Sequence, residues 1–105
     1  YVAVVTIGLD DDQAVAPLLE LLVGEVEEWV CLQPGFISAN YHVSLDQGTV
    51  LNYAQWTSEA AYKESFNASP RHGSLRDAIL AIDGVATLSM TPYVLVRSVA
   101  GTGGP

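Results

Sequence analysis

Apolar and polar residues alternate twice between positions 34 and 62, on either side of Asp46-Gln47-Gly48, and this period of two predicts a β-hairpin. In the second run Val50, Asn52, Ala54 and Trp56 fall on one face, and Leu51, Tyr53 and Gln55 on the other. The turn decides which residues of the first run join them. A three-residue loop with Gly48 in the left-handed conformation pairs Leu45 with Thr49, His42 with Asn52, Asn40 with Ala54 and Ser38 with Trp56. That register gathers polar and aromatic groups on one surface and is the expectation carried forward. A two-residue Gln47-Gly48 loop would shift the parity and send His42 to the face opposite Asn52.

Tyr1 to Gly8 is a β-branched run stopped by Gly8 and the acids Asp10, Asp11 and Asp12, and it predicts a mostly buried strand. Val15, Leu18, Leu19, Leu22, Val26, Trp29 and Val30 then recur at steps of three and four, which is the stripe of a long amphipathic helix. Glu20, Glu25, Glu27 and Glu28 are expected to fall largely off that stripe. Asp12 is the expected cap, Pro17 belongs in the first turn, and Gly24 is expected to allow close packing. The helix should end before Gln33-Pro34-Gly35. Beyond the hairpin, Thr57-Ser58-Glu59 signals a helix start, with Tyr62 and Phe66 one turn apart. A third helix opens at Gly73-Ser74 and turns Leu75, Ala78, Ile79 and Ile82 inward, with Arg76 beside the stripe. Val85 to Val99, alternating around Pro92, predicts a strand long enough to leave its own sheet. Residues 100–105 predict a flexible tail.

The order strand, helix, strand, strand, two helices, strand is that of the split βαβ, ferredoxin-like α+β fold: a four-stranded antiparallel sheet with helices on one face. The other face needs a cover. A second copy packing sheet to sheet and borrowing the long last strand would supply it, so a homodimeric α/β barrel is expected.

Composition sharpens this picture. The 105 residues fit one domain, 1–105, with a modest core. A hydrophobic fraction of 50% against 15% charged residues is rich for a small monomer and agrees with shared apolar surface. A net charge of −8 with four Lys and Arg leaves no basic patch for nucleic acid or an anionic membrane. Cys31, the single cysteine, is expected as a small buried residue in a reducing cytoplasm. No run reaches the ~18 apolar residues of a membrane span. The chain starts at Tyr1 rather than Met, which leaves room for residues ahead of it.

His42 and His72 lie far apart and the acids are scattered, so no metal spacing is present. No G-x-G-x-x-G follows a strand and no G-x-S-x-G occurs, which disfavours nucleotide and acyl-enzyme chemistry. What remains is neutral hydrogen bonding among aromatics. At a strand rise of ~3.3 Å per residue, Asn52 and Trp56 lie about 13 Å apart, suited to the two ends of a flat polycyclic guest. Ala54 and Ser38 between them are small enough to leave a slot. Plain structural roles compete: Trp56 as core, Asn52 and His42 as mutual partners, Tyr62 as core with a wet hydroxyl, Arg76 as a solvated face residue.

The run PGFISANYHVSLDQGTVLNYAQWTSEAAYKE, with the Val26–Trp29 helix end, Ser69-Pro70-Arg71, Leu75-Arg76 and Met90-Thr91-Pro92, resembles the antibiotic biosynthesis monooxygenases. N-Y-A-Q-W followed by S-E-x-A-Y is similar to the quinone-forming branch of that family. The resemblance implies a homodimer that oxidises a phenolic, anthrone-type aromatic polyketide to a quinone with O2 and no cofactor. It also implies catalytic roles for Asn52, Trp56, Tyr62, Arg76 and His42. Ser38, Asn40, Ala54 and Phe66 are the expected substrate contacts. Departures from the family pattern fall in residues 10–17 and 84–90, segments that could line the pocket and bear on the substrate. Two other classes are weighed. A haem-degrading enzyme would need an axial His soon after the Trp, and His72 comes too late. A non-oxidative polyketide cyclase or ligand-binding barrel would use the same slot.

Overall fold

The structure is a computed structural model describing residues 1–69 and 73–104. Four strands, β1 (Val2–Leu9), β2 (Phe36–Val43), β3 (Thr49–Trp56) and β4 (Val85–Tyr93), form one antiparallel sheet in the order β2-β3-β1-β4. Three helices, α1 (Val15–Glu28), α2 (Glu59–Asn67) and α3 (Ser74–Leu80), complete the ferredoxin-like α+β fold. The two central strands, β1 and β3, bury the most: Ala3, Ile7, Val50 and Trp56 are each 2% exposed or less. Pro92 lies on edge strand β4, where a missing N–H costs the sheet little.

Each helix follows from its sequence. A 3-10 turn (Asp12–Ala14) leads into α1; Asp11 rather than Asp12 caps that turn, its Oδ1 accepting from Gln13 N at 2.9 Å, and α1 itself follows Ala14 with no side-chain cap. Leu18 and Leu22 are its buried residues. A second 3-10 turn (Val30–Leu32) ends the segment before Pro34. Gly24 serves no close approach, since a Cβ there would meet nothing within 4 Å. Cys31 is exposed, not buried, because it falls on the outer side of that last turn. Ser58 caps α2, its Oγ accepting from Ala61 N at 3.0 Å. Gly35, at φ +85°, brings the start of β2 against α2, where a Cβ would stand 2.6 Å from Ala61 Cβ.

The hairpin register differs from the expected one. The loop holds four residues, 45–48, closed by Ser44 N donating to Thr49 O at 2.9 Å, and Gln47 rather than Gly48 takes the left-handed conformation, at φ 59°. Tyr41 therefore pairs with Asn52, His42 with Leu51, Asn40 with Tyr53, Ala39 with Ala54 and Ser38 with Gln55. The strand parity reverses, and Ser38, Asn40 and His42 pass to the sheet face without helices. A shift in register between Ser38 and Phe36 then returns Phe36 to the helix side, opposite Trp56. The last strand also ends earlier than expected, at Tyr93. Residues 94–104 carry no strand, and Val94, Leu95, Val96 and Val99 are exposed.

Candidate active site

Between sheet and helices the apolar layer is solid at one end and open at the other. Ile7, Val50, Leu18, Leu22 and Ile79 pack together as the core. Toward Trp56 the floor changes: Ala39, Ala54 and Ala3 stand in register across β2, β3 and β1. Three side chains of one carbon each cannot fill the gap beneath the helices, and a cavity of about 410 Å³ opens over them. Asn52 bounds this alanine row on one side, and the Phe36 and Trp56 rings bound it on the other.

Asn52 sits between Val5 of β1 and Tyr41 of β2. Val5 has no donor to offer. The Tyr41 hydroxyl is committed, donating to Leu22 O at 3.2 Å. Asn52 Oδ1 is accordingly buried without a hydrogen-bond partner, alone among the described residues. An unanswered buried carbonyl costs about 1–3 kcal/mol, so it asks for a ligand or a function.

At the other end, Trp56 is 2% exposed and surrounded by rings. Phe36 and Tyr62 meet it edge-on, with centroids at 5.3 and 5.6 Å. Phe66 lies one helical turn from Tyr62, the tilted rings 4.9 Å apart, and reaches Trp29, just past the end of α1, at 5.3 Å. Such edge-to-face contacts fix the indole while leaving the cavity wall apolar. Burial pushes the Tyr62 hydroxyl above its ordinary pKa, and the neighbouring Tyr1 adds to the shift. Burial, followed by the Glu27 carboxylate, pushes Tyr41 up to about 12. Both phenols hold their protons at neutral pH.

Two of the four Lys and Arg residues of this acidic chain, Lys63 and Arg76, line the cavity. Lys63 is paired with Glu59 at 2.6 Å on the exposed side of α2. Arg76, on α3, makes no ion pair among the described residues and stays exposed at the rim.

The cavity thus gathers Asn52, Trp56, Tyr62, Arg76, Ala54 and Phe66 from the sequence expectation. His42, Ser38 and Asn40 are not brought to it. They line a shallow groove on the opposite face with Tyr53 and Gln55, where Ser38 Oγ donates to Gln55 Oε1 at 3.1 Å and Asn40 Nδ2 to Tyr53 O at 3.1 Å. His72 lies outside the described residues. Glu25, Tyr41 and Trp29 line the cavity and were not expected there. For Glu25 and Trp29 the spacing was the signal, Glu25 standing three residues after Leu22 and four before Trp29 on the inner side of α1, whereas Tyr41 arrives through the reversed register of β2. Among the described residues no three His, Cys, Asp or Glu side chains gather as metal ligands, and no helix is long and apolar enough to cross a membrane.

A ferredoxin-like sheet with an aromatic-walled cavity under its helices is the setting in which residues 1–77 match the antibiotic biosynthesis monooxygenase family, and the chain belongs to that family. It is similar to the tetracenomycin-F1 monooxygenase of Streptomyces glaucescens, 44% identical over 54 residues. That match spans 51% of this chain and about half, 47%, of the relative. The crystal structure of a monooxygenase from the gene ActVA-Orf6 of Streptomyces coelicolor, in complex with the ligand nanaomycin D, is 41% identical with a TM-score of 0.75, covering 93% of this chain and 91% of that one. SnoaB, a cofactor-independent oxygenase from Streptomyces nogalater, has the same fold at 16% identity, with a TM-score of 0.73 over 93% of this chain and 94% of that one.

Proposed function

We propose that the protein is a cofactor-independent monooxygenase that oxidises a phenolic, anthrone-type aromatic polyketide to a quinone with O2. The observation that carries this reading is Asn52, whose Oδ1 is a buried acceptor with no partner and which lines an apolar-walled cavity of about 410 Å³. The relatives named above, one of them bound to nanaomycin D, support the substrate class.

The chemistry follows from spin. Triplet oxygen adds poorly to a closed-shell molecule, but an ionised phenol or anthrone can pass it one electron, and the radical pair then recombines as a peroxide. The hydroperoxide loses water, so that CH2 and O2 become C=O and H2O. Asn52 would accept a hydrogen bond from the substrate's phenolic O–H through Oδ1 and, once another group has taken that proton, turn its amide N–H groups to the oxyanion, an effect of about 3 kcal/mol per well-placed donor. Arg76 at the rim adds a fixed positive charge. Tyr62, protonated at neutral pH, can hand a proton to the departing hydroxide. Trp56 and Phe66 hold the rings and exclude water, and Ala54 leaves the slot open. His42, Ser38 and Asn40 have no part in this scheme, because the sheet register turns them away. We also propose that two copies pair through the helix-free sheet face and the exposed tail.

The test is oxygen uptake with an anthrone, with chelator present and nothing added. One O2 consumed per quinone formed is expected, and Asn52→Ala should lower turnover about 10²-fold with the fold retained. Uptake only after adding iron or flavin overturns the cofactor-free reading. Tight binding of the anthrone without uptake would instead identify a binding or cyclase protein.

A further inference from the structure

We propose that Glu25 is the general base of this reaction, taking the proton whose loss makes the bound phenol or anthrone electron-rich enough to reduce oxygen. The inference rests on the quinone-forming reading above and supplies the proton acceptor that the reading needs.

Glu25 is a carboxylate set into an apolar wall. Leu22, Val26 and Trp29 line the cavity beside it on the same face of α1. Its Oε2 accepts from Trp29 Nε1 at 2.5 Å, and the Trp29 ring rests edge-on against Phe66, so the carboxylate is aimed by a packed aromatic rather than left to swing. Its position over the floor is also fixed. Leu22 O accepts from the Tyr41 hydroxyl, and Tyr41 is the register neighbour of Asn52. The part of α1 that bears Glu25 therefore roofs the stretch of floor where Asn52 waits for a phenolic oxygen.

Elimination points to the same residue. Among the described residues, the titratable and charged side chains that line the cavity are Glu25 from α1, Tyr41 from β2, Tyr62 and Lys63 from α2, and Arg76 from α3. Lys63 and Arg76 carry positive charge and have no free lone pair. The Tyr41 and Tyr62 hydroxyls are held protonated by burial. Among the described residues that line the cavity, Glu25 is the one anion.

The protons balance around it. Glu25 removes one proton from the substrate, and the substrate anion passes an electron to O2. The recombined peroxide anion then recovers that proton from the neutral acid. Glu25 next takes the remaining C–H proton as the O–O bond breaks. The hydroxide leaves with a proton from Tyr62, and the Glu25 acid restores the Tyr62 hydroxyl. Both side chains end as they began, with one quinone carbonyl and one water formed.

Glu25→Gln keeps an acceptor for Trp29 Nε1 and nearly the same volume while removing the base. With the anthrone near neutral pH, kcat should fall about 10²-fold, with KM and quinone binding close to wild type. Oxygen uptake should recover as the pH rises through the substrate's own phenolic pKa, because a pre-ionised substrate needs no base for its first proton, while quinone formation stays slow for want of a base for the second, C–H proton. Glu25→Asp, a shorter carboxylate, should give intermediate kcat with a pH profile of wild-type shape. Wild-type kcat and pH profile in Glu25→Gln would overturn the assignment while leaving the quinone-forming reading intact. Loss in Glu25→Asp as deep as in Glu25→Gln at every pH would reduce Glu25 to a structural part. Failure of the wild-type protein to consume oxygen would strike the reading itself.

Discussion

At the scale of single residues, burial decides protonation. The Tyr41 hydroxyl is pushed from an ordinary 10.0 to about 12 by burial, with Glu27 reinforcing the shift. A raised value in the folded state means that its contribution to stability is fully present below pH 10 and is lost as the pH climbs through about 12. Wild-type stability should therefore fall across that alkaline window, and Tyr41→Phe should flatten much of the fall. The variant should cost about 1 kcal/mol at neutral pH for the hydrogen bond to Leu22 O. Denaturant melts paired with tyrosinate absorbance check this, and parallel alkaline losses in both proteins would contradict it. Tyr62, also shifted upward, leaves a residual slope in the variant.

At the scale of elements, much was legible and two things were not. The face shared by Asn52, Ala54 and Trp56 follows from the alternation of β3 alone, and Tyr62 above Phe66 follows from helical spacing. The parity of β2 was hidden in side-chain hydrogen bonds of the turn. Asp46 Oδ1 accepts from Ser44 Oγ at 2.7 Å and from Gly48 N at 2.9 Å, while Ser44 Oγ accepts from Thr49 N at 2.9 Å. This network lets Gln47 hold the left-handed position that glycine was expected to take, and one extra loop residue turned His42 outward. Glu25, expected to fall largely off the apolar stripe with the other helix acids, lines the cavity instead, three residues after Leu22 and four before Trp29. The α2 cap offers a direct test at this scale. Ser58→Ala removes the acceptor for Ala61 N and should cost about 1 kcal/mol of stability. Because α2 positions Tyr62 and Phe66, KM should rise along with it. Unchanged KM beside a lowered melting point would uncouple the helix start from the cavity wall.

At the scale of the whole molecule, the element order alone predicted the sheet and the helix layer. It could not show where β4 stops, since nothing within one copy pairs with residues 94–99 and an alternating apolar run reads as strand whether or not a partner is present. Val94, Leu95 and Val96 are 72%, 64% and 82% exposed, and the sheet carries helices on one face only. If a second copy covers these surfaces, sedimentation should give a dimer whose melting temperature rises with protein concentration. Truncation after Tyr93 should then yield a less stable monomer. A full-length chain that sediments as a monomer at all concentrations would reject the pairing.

The unanswered amide beneath the helices has an evolutionary side. On the proposed reading, leucine at position 52 would heal the defect and leave a sturdier but slower protein, so selection for thermal endurance and selection for chemistry would pull against each other at that one position. The same exchange, a little endurance given up for one unanswered buried carbonyl, would then be written into the fold itself.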